Sequence, residues 1–168
     1  LPTGNATANQ YIKNDGAGAL RWATLPYSGK VLQVLQSVKT DTHSSTATVY
    51  TNITGTDQAG AGSIWCVKIT PSLSTSKILV TVDFYTGRSS GTGYIGSILL
   101  RDTTTIYIGD VASSRARNAT NFNLYNTDGG MSGRQPITYL DDPSSTSELT
   151  YKVQMCNTQG TGTVYLNR

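Results

Sequence analysis

From residue 30 onward, apolar residues tend to recur at every second position, the period of a strand with one covered face. In the run over residues 77–86, one face would carry four large apolar side chains: Ile78, Val80, Val82 and Phe84. Ten such runs are separated by turn-forming clusters, at residues 30–39, 46–53, 63–70, 77–86, 94–101, 104–110, 120–126, 134–140, 149–156 and 163–167. Ten short strands without a clear helix predict an all-β fold, an antiparallel β-sandwich or jelly roll.

Residues 1–26 differ from this pattern and form a short leader. Within it, Asn14-Asp15-Gly16 supplies residues that tolerate positive φ, so we expect a tight reversal between two short strands. An isolated hairpin is marginally stable in water. Because its large apolar residues are only Ile12, Leu20 and Trp22, the hairpin needs a partner to cover it. We therefore predict a connector hairpin over residues 1–26 and a β-sandwich head over residues 27–168.

Some predicted strands carry apolar residues on both faces. Leu79 and Tyr85 lie opposite the core-facing side of their strand, and Trp65 and Val67 flank Cys66 in another. In a monomeric sandwich each sheet has one buried face and one solvent-exposed face. An outward face that also carries apolar residues therefore indicates that another molecule covers that face. A symmetric copy of the chain is the simplest cover. The alternative is that the assignment of inward and outward faces is slightly wrong.

Composition narrows the possible chemistry. Only 14% of the residues are charged, while Thr occurs 26 times and Ser 17 times. A single His and two Cys exclude multi-His metal sites and zinc clusters, so we expect no metal and no cofactor. The net charge of +3 is too weak and scattered for a nucleic-acid-binding protein. The apolar stretches are far too short for membrane insertion.

The few carboxylates argue against an enzyme, and we predict no catalytic residue. A glycan-cleaving protein needs two carboxylates about 5–10 Å apart. Asp141-Asp142-Pro143 has the sequence of a turn. Asp83 lies within a strand, and on a covered face it should find a Lys or Arg on a neighbouring strand.

His43 and the two cysteines have simple interpretations. His43 follows Asp41 and Thr42 and is expected to be a solvated loop residue. Cys66 and Cys156 lie on predicted strands, and we favour free, buried thiols. A disulfide between them is the alternative, and it would contribute roughly 4 kcal/mol by closing a long loop.

Several short segments resemble tail-fibre proteins of bacteriophages, especially marine and cyanobacterial ones. The leader resembles their connecting repeats through LPTG at residues 1–4 and QYIKNDGAGALRW at residues 10–22. The remainder is similar to their C-terminal heads through GKVLQV, SKILV, LRD and IYIGD, which begin at residues 29, 76, 100 and 106. The resemblance implies a homotrimer with a jelly-roll head that attaches the virion to its host.

This resemblance also implies the partners and the location. The expected partners are a host-surface polysaccharide or outer-membrane protein and other tail proteins. Because the first Met is Met131, we also expect a preceding part of the polypeptide, and the other tail proteins would be contacted through it. The protein would be assembled in the bacterial cytoplasm and act in the virion tail. A connector fibre that binds no receptor and a polysaccharide depolymerase are the alternative functions.

The candidate receptor contacts are aromatic, amide and charged side chains near exposed loops. We select the glycine-rich loop at residues 127–133 with its flanks, and His43 in another loop; the candidates are Tyr125, Asn126, Asp128, Arg134 and His43. If strands alternate in direction, the loops at residues 40–45, 71–76, 102–103, 127–133 and 157–162 lie at the end away from the leader. The loops with Arg88, Arg115 and Arg117 would lie at the near end, although their charge suits an anionic polysaccharide better.

Overall fold

A computed structural model describes residues 2–24, 30–89, 93–124, 132–158 and 161–168. The chain divides into two compact units, Leu1–Val34 and Leu35–Arg168. The described residues contain strands and no helix, as the alternation predicts. The strands are β1 (Gln10–Asn14), β2 (Leu20–Thr24), β3 (His43–Ser45), β4 (Thr51–Asn52), β5 (Cys66–Ile69), β6 (Ile78–Arg88), β7 (Gly93–Arg101), β8 (Thr104–Tyr107), β9 (Thr120–Leu124), β10 (Ser132–Asp141), β11 (Leu149–Asn157) and β12 (Val164–Leu166).

The first unit contains the predicted hairpin of β1 and β2. Its turn is organised by Asp15, whose carboxylate accepts hydrogen bonds from the amides of Ala17 (2.9 Å) and Ala19 (3.1 Å) and from Nε of Arg21. These bonds, chiefly those from the two amides, lower the pKa of Asp15. Pairing of Ile12 with Trp22 sets the register, and Ile12 remains 44% exposed.

The second unit is a sandwich of two antiparallel sheets. One sheet has the order β10-β6-β12-β3, and the other contains β4-β11-β7-β8 with β5 beside β11 and β9 beside β7. Strands β4 and β5 can be counted as one strand, and likewise β8 and β9. The eight strands then occupy the two sheets in the order of a jelly roll, in which the chain changes sheet at every connection except the one between β7 and β8. The all-β sandwich predicted from the sequence is confirmed.

The core lies between these two sheets. The alternation in β6 and β11 orients their side chains as predicted. Phe84 of β6 is 4% exposed, and it shares the core with Val153 and Met155 of β11, which lie in the other sheet and are also buried. A buried polar bridge accompanies the apolar contacts. Ser97 Oγ donates to Gln135 Oε1 at 2.8 Å, and Gln135 Nε2 donates to Thr86 Oγ1 at 2.7 Å. Satisfied groups of this kind fix how the sheets face one another.

The strand predicted at residues 30–39 is not present. Strand β3 pairs instead with β12 at the edge of its sheet, which leaves the earlier segment without a strand to join. Several of its apolar side chains are exposed: Val31, Leu32, Val34, Leu35 and Val38. The strand predicted at residues 46–53 is likewise reduced to β4.

The connection between β8 and β9 is not a reversal. Both strands run antiparallel to β7, β8 beside its end and β9 beside its beginning, so they are two parts of one edge strand interrupted by residues 108–119. The predicted alternation of loop ends therefore fails after β8. Strands β5, β7 and β10 finish at one end of the sandwich, and β6, β9 and β11 finish at the other.

Candidate functional site

The loop chosen from the sequence lies mostly outside the described residues, and with it Tyr125, Asn126 and Asp128. Arg134 is described and lies on the outward side of β10. Its Nε donates to the two carboxylate oxygens of Asp83 at 2.7 and 2.8 Å, and its Nη2 also contacts Asp83. The pair confirms that Asp83 has a basic partner on a neighbouring strand. Arg134 lowers the pKa of Asp83, and its own pKa is raised in return.

The same outward side of β6 and β10, which we call the outer face, carries three large apolar side chains among polar ones. Leu79 lies directly opposite Leu140, and they are 65% and 58% exposed. Tyr85 is 56% exposed and lies opposite Arg134. The sequence expectation that Leu79 and Tyr85 point away from the core is thereby confirmed. An exposed group of large apolar side chains around one ion pair is typical of a surface that contacts another molecule.

His43 is buried in β3, so the expectation of a solvated loop histidine is wrong. Its Nδ1 accepts the Thr54 amide at 3.3 Å and lies 2.8 Å from the Thr54 hydroxyl, while Nε2 has no partner among the described residues. Burial, reinforced by the neighbouring Lys39 ammonium, lowers the pKa of His43. The imidazole is therefore packed at the sheet edge, and its role as a receptor contact stays a prediction.

Asp141, which the sequence assigns to a turn, is the last residue of β10 and is 5% exposed. Arg101 Nη1 donates to its two oxygens at 3.0 and 2.8 Å, and the Tyr151 hydroxyl donates at 2.6 Å. Asp141 belongs to one sheet, and Arg101 and Tyr151 belong to the other. The turn prediction is wrong for Asp141 because contacts with Arg101 and Tyr151, which are distant in the sequence, hold it at the end of β10. The strand therefore ends one residue later than predicted.

The other carboxylates are also used mainly in ion pairs. Six of the nine acidic residues that the structure describes pair with a base within 4 Å. The pairs are Asp15–Arg21, Asp41–Lys39, Asp57–Lys68, Asp83–Arg134, Asp141–Arg101 and Asp142–Lys77. Pairing of this kind fixes the position of a carboxylate, which suits a structural role.

The interruption of the edge strand forms a pocket of about 460 Å³. Its lining is polar and includes two arginines, Arg115 and Arg117, beside amide and hydroxyl side chains. Arg117 Nε donates to the Gly109 carbonyl at 2.6 Å, which leaves its terminal nitrogens for a ligand. The sequence singled out these arginines as suited to an anionic polysaccharide, but gave no signal for the pocket, because its anchor, Tyr50, is 67 residues away in the chain.

A second cleft, of about 380 Å³, lies between the sheets beside Trp65 and Cys66. Cys66 and Cys156 are both free and buried, which confirms the preferred interpretation. Burial raises the pKa of each thiol, so neither is activated as a nucleophile.

Buried Arg88 corrects a further expectation. The sequence places it in a basic surface loop, whereas it ends β6 and is only 3% exposed. Its guanidinium donates to Asn157 Oδ1 at 2.7 Å and contacts Thr161. Burial lowers its pKa. Arg88 is therefore part of the end of the sandwich and adds no charge to its surface.

Comparison with known proteins gives no family for the chain. No protein-family model matches it, and no curated protein gives a significant match. Within the described ranges, no group of three or more His, Cys, Asp and Glu side chains is arranged to hold a metal ion. The same residues include no helix of the length and hydropathy needed to cross a membrane.

Proposed function

We propose that the chain is the distal part of a bacteriophage tail fibre, a homotrimer that attaches the virion to a glycan or protein of the host surface. The proposal combines the resemblance of its short segments to tail-fibre heads with the jelly-roll order of its strands. Fold alone does not specify a function, whereas the surfaces that the fold leaves uncovered indicate what the chain contacts.

The observation that carries the proposal is the outer face of β6 and β10. Leu79, Tyr85 and Leu140 are each more than half exposed on a regular sheet surface. A copy of the same chain is a fitting cover, because Asp83 and Arg134 already neutralise each other within the face. A partner that brought unpaired charge of one sign would leave that charge buried at the contact.

The first unit and the segment at residues 30–39 support the same conclusion independently. In the hairpin, Ile12 is 44% and Leu20 is 41% exposed, and a two-stranded sheet is marginally stable by itself. In the segment, Val31 and Val34 are 81% and 83% exposed although valine is a residue that favours covered strands. Association of several copies offers both elements an apolar contact.

Native mass spectrometry of the full chain tests the association directly. We expect a mass three times the 17.9 kDa of one chain. A monomeric mass at micromolar concentration would overturn the proposal, because the outer face would then remain exposed to solvent and would not be covered by copies of the chain.

Attachment is tested separately with the fluorescently labelled trimer on a panel of cyanobacterial and other marine bacterial cells. Saturable adsorption to some strains and not to others is expected for an attachment head. A stable trimer that adsorbs to none of the strains would instead support the connector fibre. Release of oligosaccharides from the envelope of a bound strain would identify a depolymerase.

A further inference from the structure

We propose that the pocket formed by residues 109–121 binds an acidic saccharide unit, one that carries a carboxylate or a sulfate. This inference rests on the proposed attachment function and names the site and the class of ligand. Its volume of about 460 Å³ lies within the range of roughly 300–1,000 Å³ that is usual for ligand pockets.

The pocket is held in shape by contacts that do not involve a ligand. The Tyr50 hydroxyl lies 2.5 Å from both the Arg117 carbonyl oxygen and Asn118 Oδ1. The Gly109 amide donates to the Asn118 carbonyl at 2.9 Å and closes the base of the interruption. A Cβ at Gly109 would lie 3.0 Å from that carbonyl oxygen, so the two backbones approach each other closely at this glycine. Such a site is largely preformed, which reduces the entropy lost on binding.

The charge of the pocket favours an anion. Six other basic residues of the chain are held in ion pairs, whereas neither Arg115 nor Arg117 has a carboxylate within 4 Å among the described residues. Asp110 also lines the pocket and is its one acidic residue. Both guanidinium groups are exposed and can offer paired N–H groups to a carboxylate or sulfate.

The remaining lining favours a saccharide over other anionic ligands. Asn118, Thr120 and Asn121 supply amide and hydroxyl groups that can hydrogen-bond to sugar hydroxyls. The lining has no aromatic ring on which a nucleic-acid base could stack, and no large apolar side chain to receive an acyl chain. A repeating acidic polysaccharide also suits a trimer, because three pockets could bind along one polymer and raise its avidity.

The test measures binding of immobilised wild-type protein to three polymers: polygalacturonate, dextran sulfate and neutral dextran. We expect binding to one or both acidic polymers, weakened by added salt, and none to neutral dextran. The double variant R115A/R117A should bind about tenfold or more weakly, because each guanidinium makes charged hydrogen bonds. The control variant K13A/K30A removes the same formal charge outside the pocket and should bind like the wild type.

Two results would overturn the inference. Equal affinity of R115A/R117A and the wild type would show that the pocket does not hold the acidic group. Equal loss in both double variants would show that only the overall positive charge matters. Either result would leave the proposed function standing, because that function is tested by the trimer mass and by adsorption to cells. A monomeric mass, in contrast, would overturn the proposed function, while the difference in polymer binding between the two double variants could still be measured.

Discussion

Two neighbouring aspartates at the end of β10 have opposite environments. Asp141 is buried and joins the two sheets through Arg101 and Tyr151, while Asp142 forms an exposed pair with Lys77. A buried charge that loses its partner costs far more than an exposed one, because water does not replace the lost contact. The stability of the sandwich therefore depends on one of these carboxylates and hardly on the other.

We expect Asp141→Asn to lower the free energy of unfolding by about 3–5 kcal/mol, since it leaves the Arg101 guanidinium without its counter-charge. Asp142→Asn, the matched control, should lower it by about 1 kcal/mol or less. Urea unfolding followed by tryptophan fluorescence measures both. Equal effects of the two substitutions would contradict the bridging role of Asp141.

His43 makes stability depend on pH. Its pKa in the folded chain is below the ordinary value of 6.5, owing to burial and the neighbouring Lys39 ammonium, although the Asp41 carboxylate opposes the shift. The unfolded chain then binds the proton more readily, so the stabilisation is complete above pH 6.5 and is lost as the pH falls through the folded pKa. For one group the slope is at most about 1.4 kcal/mol per pH unit.

The variant His43→Asn retains an acceptor for the Thr54 amide and does not titrate. Between pH 7.5 and pH 5.5 its free energy of unfolding should fall less steeply than that of the wild type in urea titrations. Parallel pH profiles for the two proteins would mean that other groups cause the loss of stability.

At the scale of elements, β6 and β10 pack against β9 and β7 across the sandwich, and one glycine permits a close approach. A Cβ on Gly133 of β10 would lie 2.0 Å from Cε2 of the Phe122 ring on β9. Because the ring is partly buried against the core, it has little room to move aside. The glycine is required by space rather than by an unusual backbone angle.

Gly133→Ala should therefore destabilise the head by about 1–3 kcal/mol through overpacking. The exposed neighbour provides the control, since Ser132→Ala should change stability by no more than about 0.5 kcal/mol. Thermal unfolding monitored by circular dichroism checks both variants. An unchanged midpoint for Gly133→Ala would show that the two strands separate at no cost.

The elements also show what the sequence can predict. Long alternating runs such as β6 and β11 were predicted to within a few residues, because the period of 2 reports which face is covered. The sequence does not predict that β8 and β9 are parts of one edge strand, because this depends on the pairing of both with β7 and not on any local turn signal. The pocket between them escaped prediction for the same reason, and so did the burial of His43, which depends on Thr54 and not on the polar residues beside it.

At the scale of the whole molecule, apolar side chains are distributed over a core and over surfaces that remain exposed in one chain. The core is complete without the outer face, since Phe84 and Ile137 are buried on the opposite side of the same two strands. A single head should therefore fold when association is blocked. Association would then add stability by mass action, because copies that bind only the folded form shift the equilibrium away from the unfolded chain.

This separation of folding from association gives a final prediction. Leu79→Arg places a charge beside Leu140 on the outer face, and a bound copy would have to remove that charge from water. The variant should be monomeric by native mass, with the circular dichroism spectrum of the wild type. The midpoint of thermal unfolding of this variant should not depend on protein concentration. The midpoint of the wild type should rise when the protein concentration is increased a hundredfold. Leu73→Arg is the control, because Leu73 is exposed outside this face and its substitution should leave the trimer intact. A Leu79→Arg protein that still forms trimers would show that the outer face is not where the copies meet.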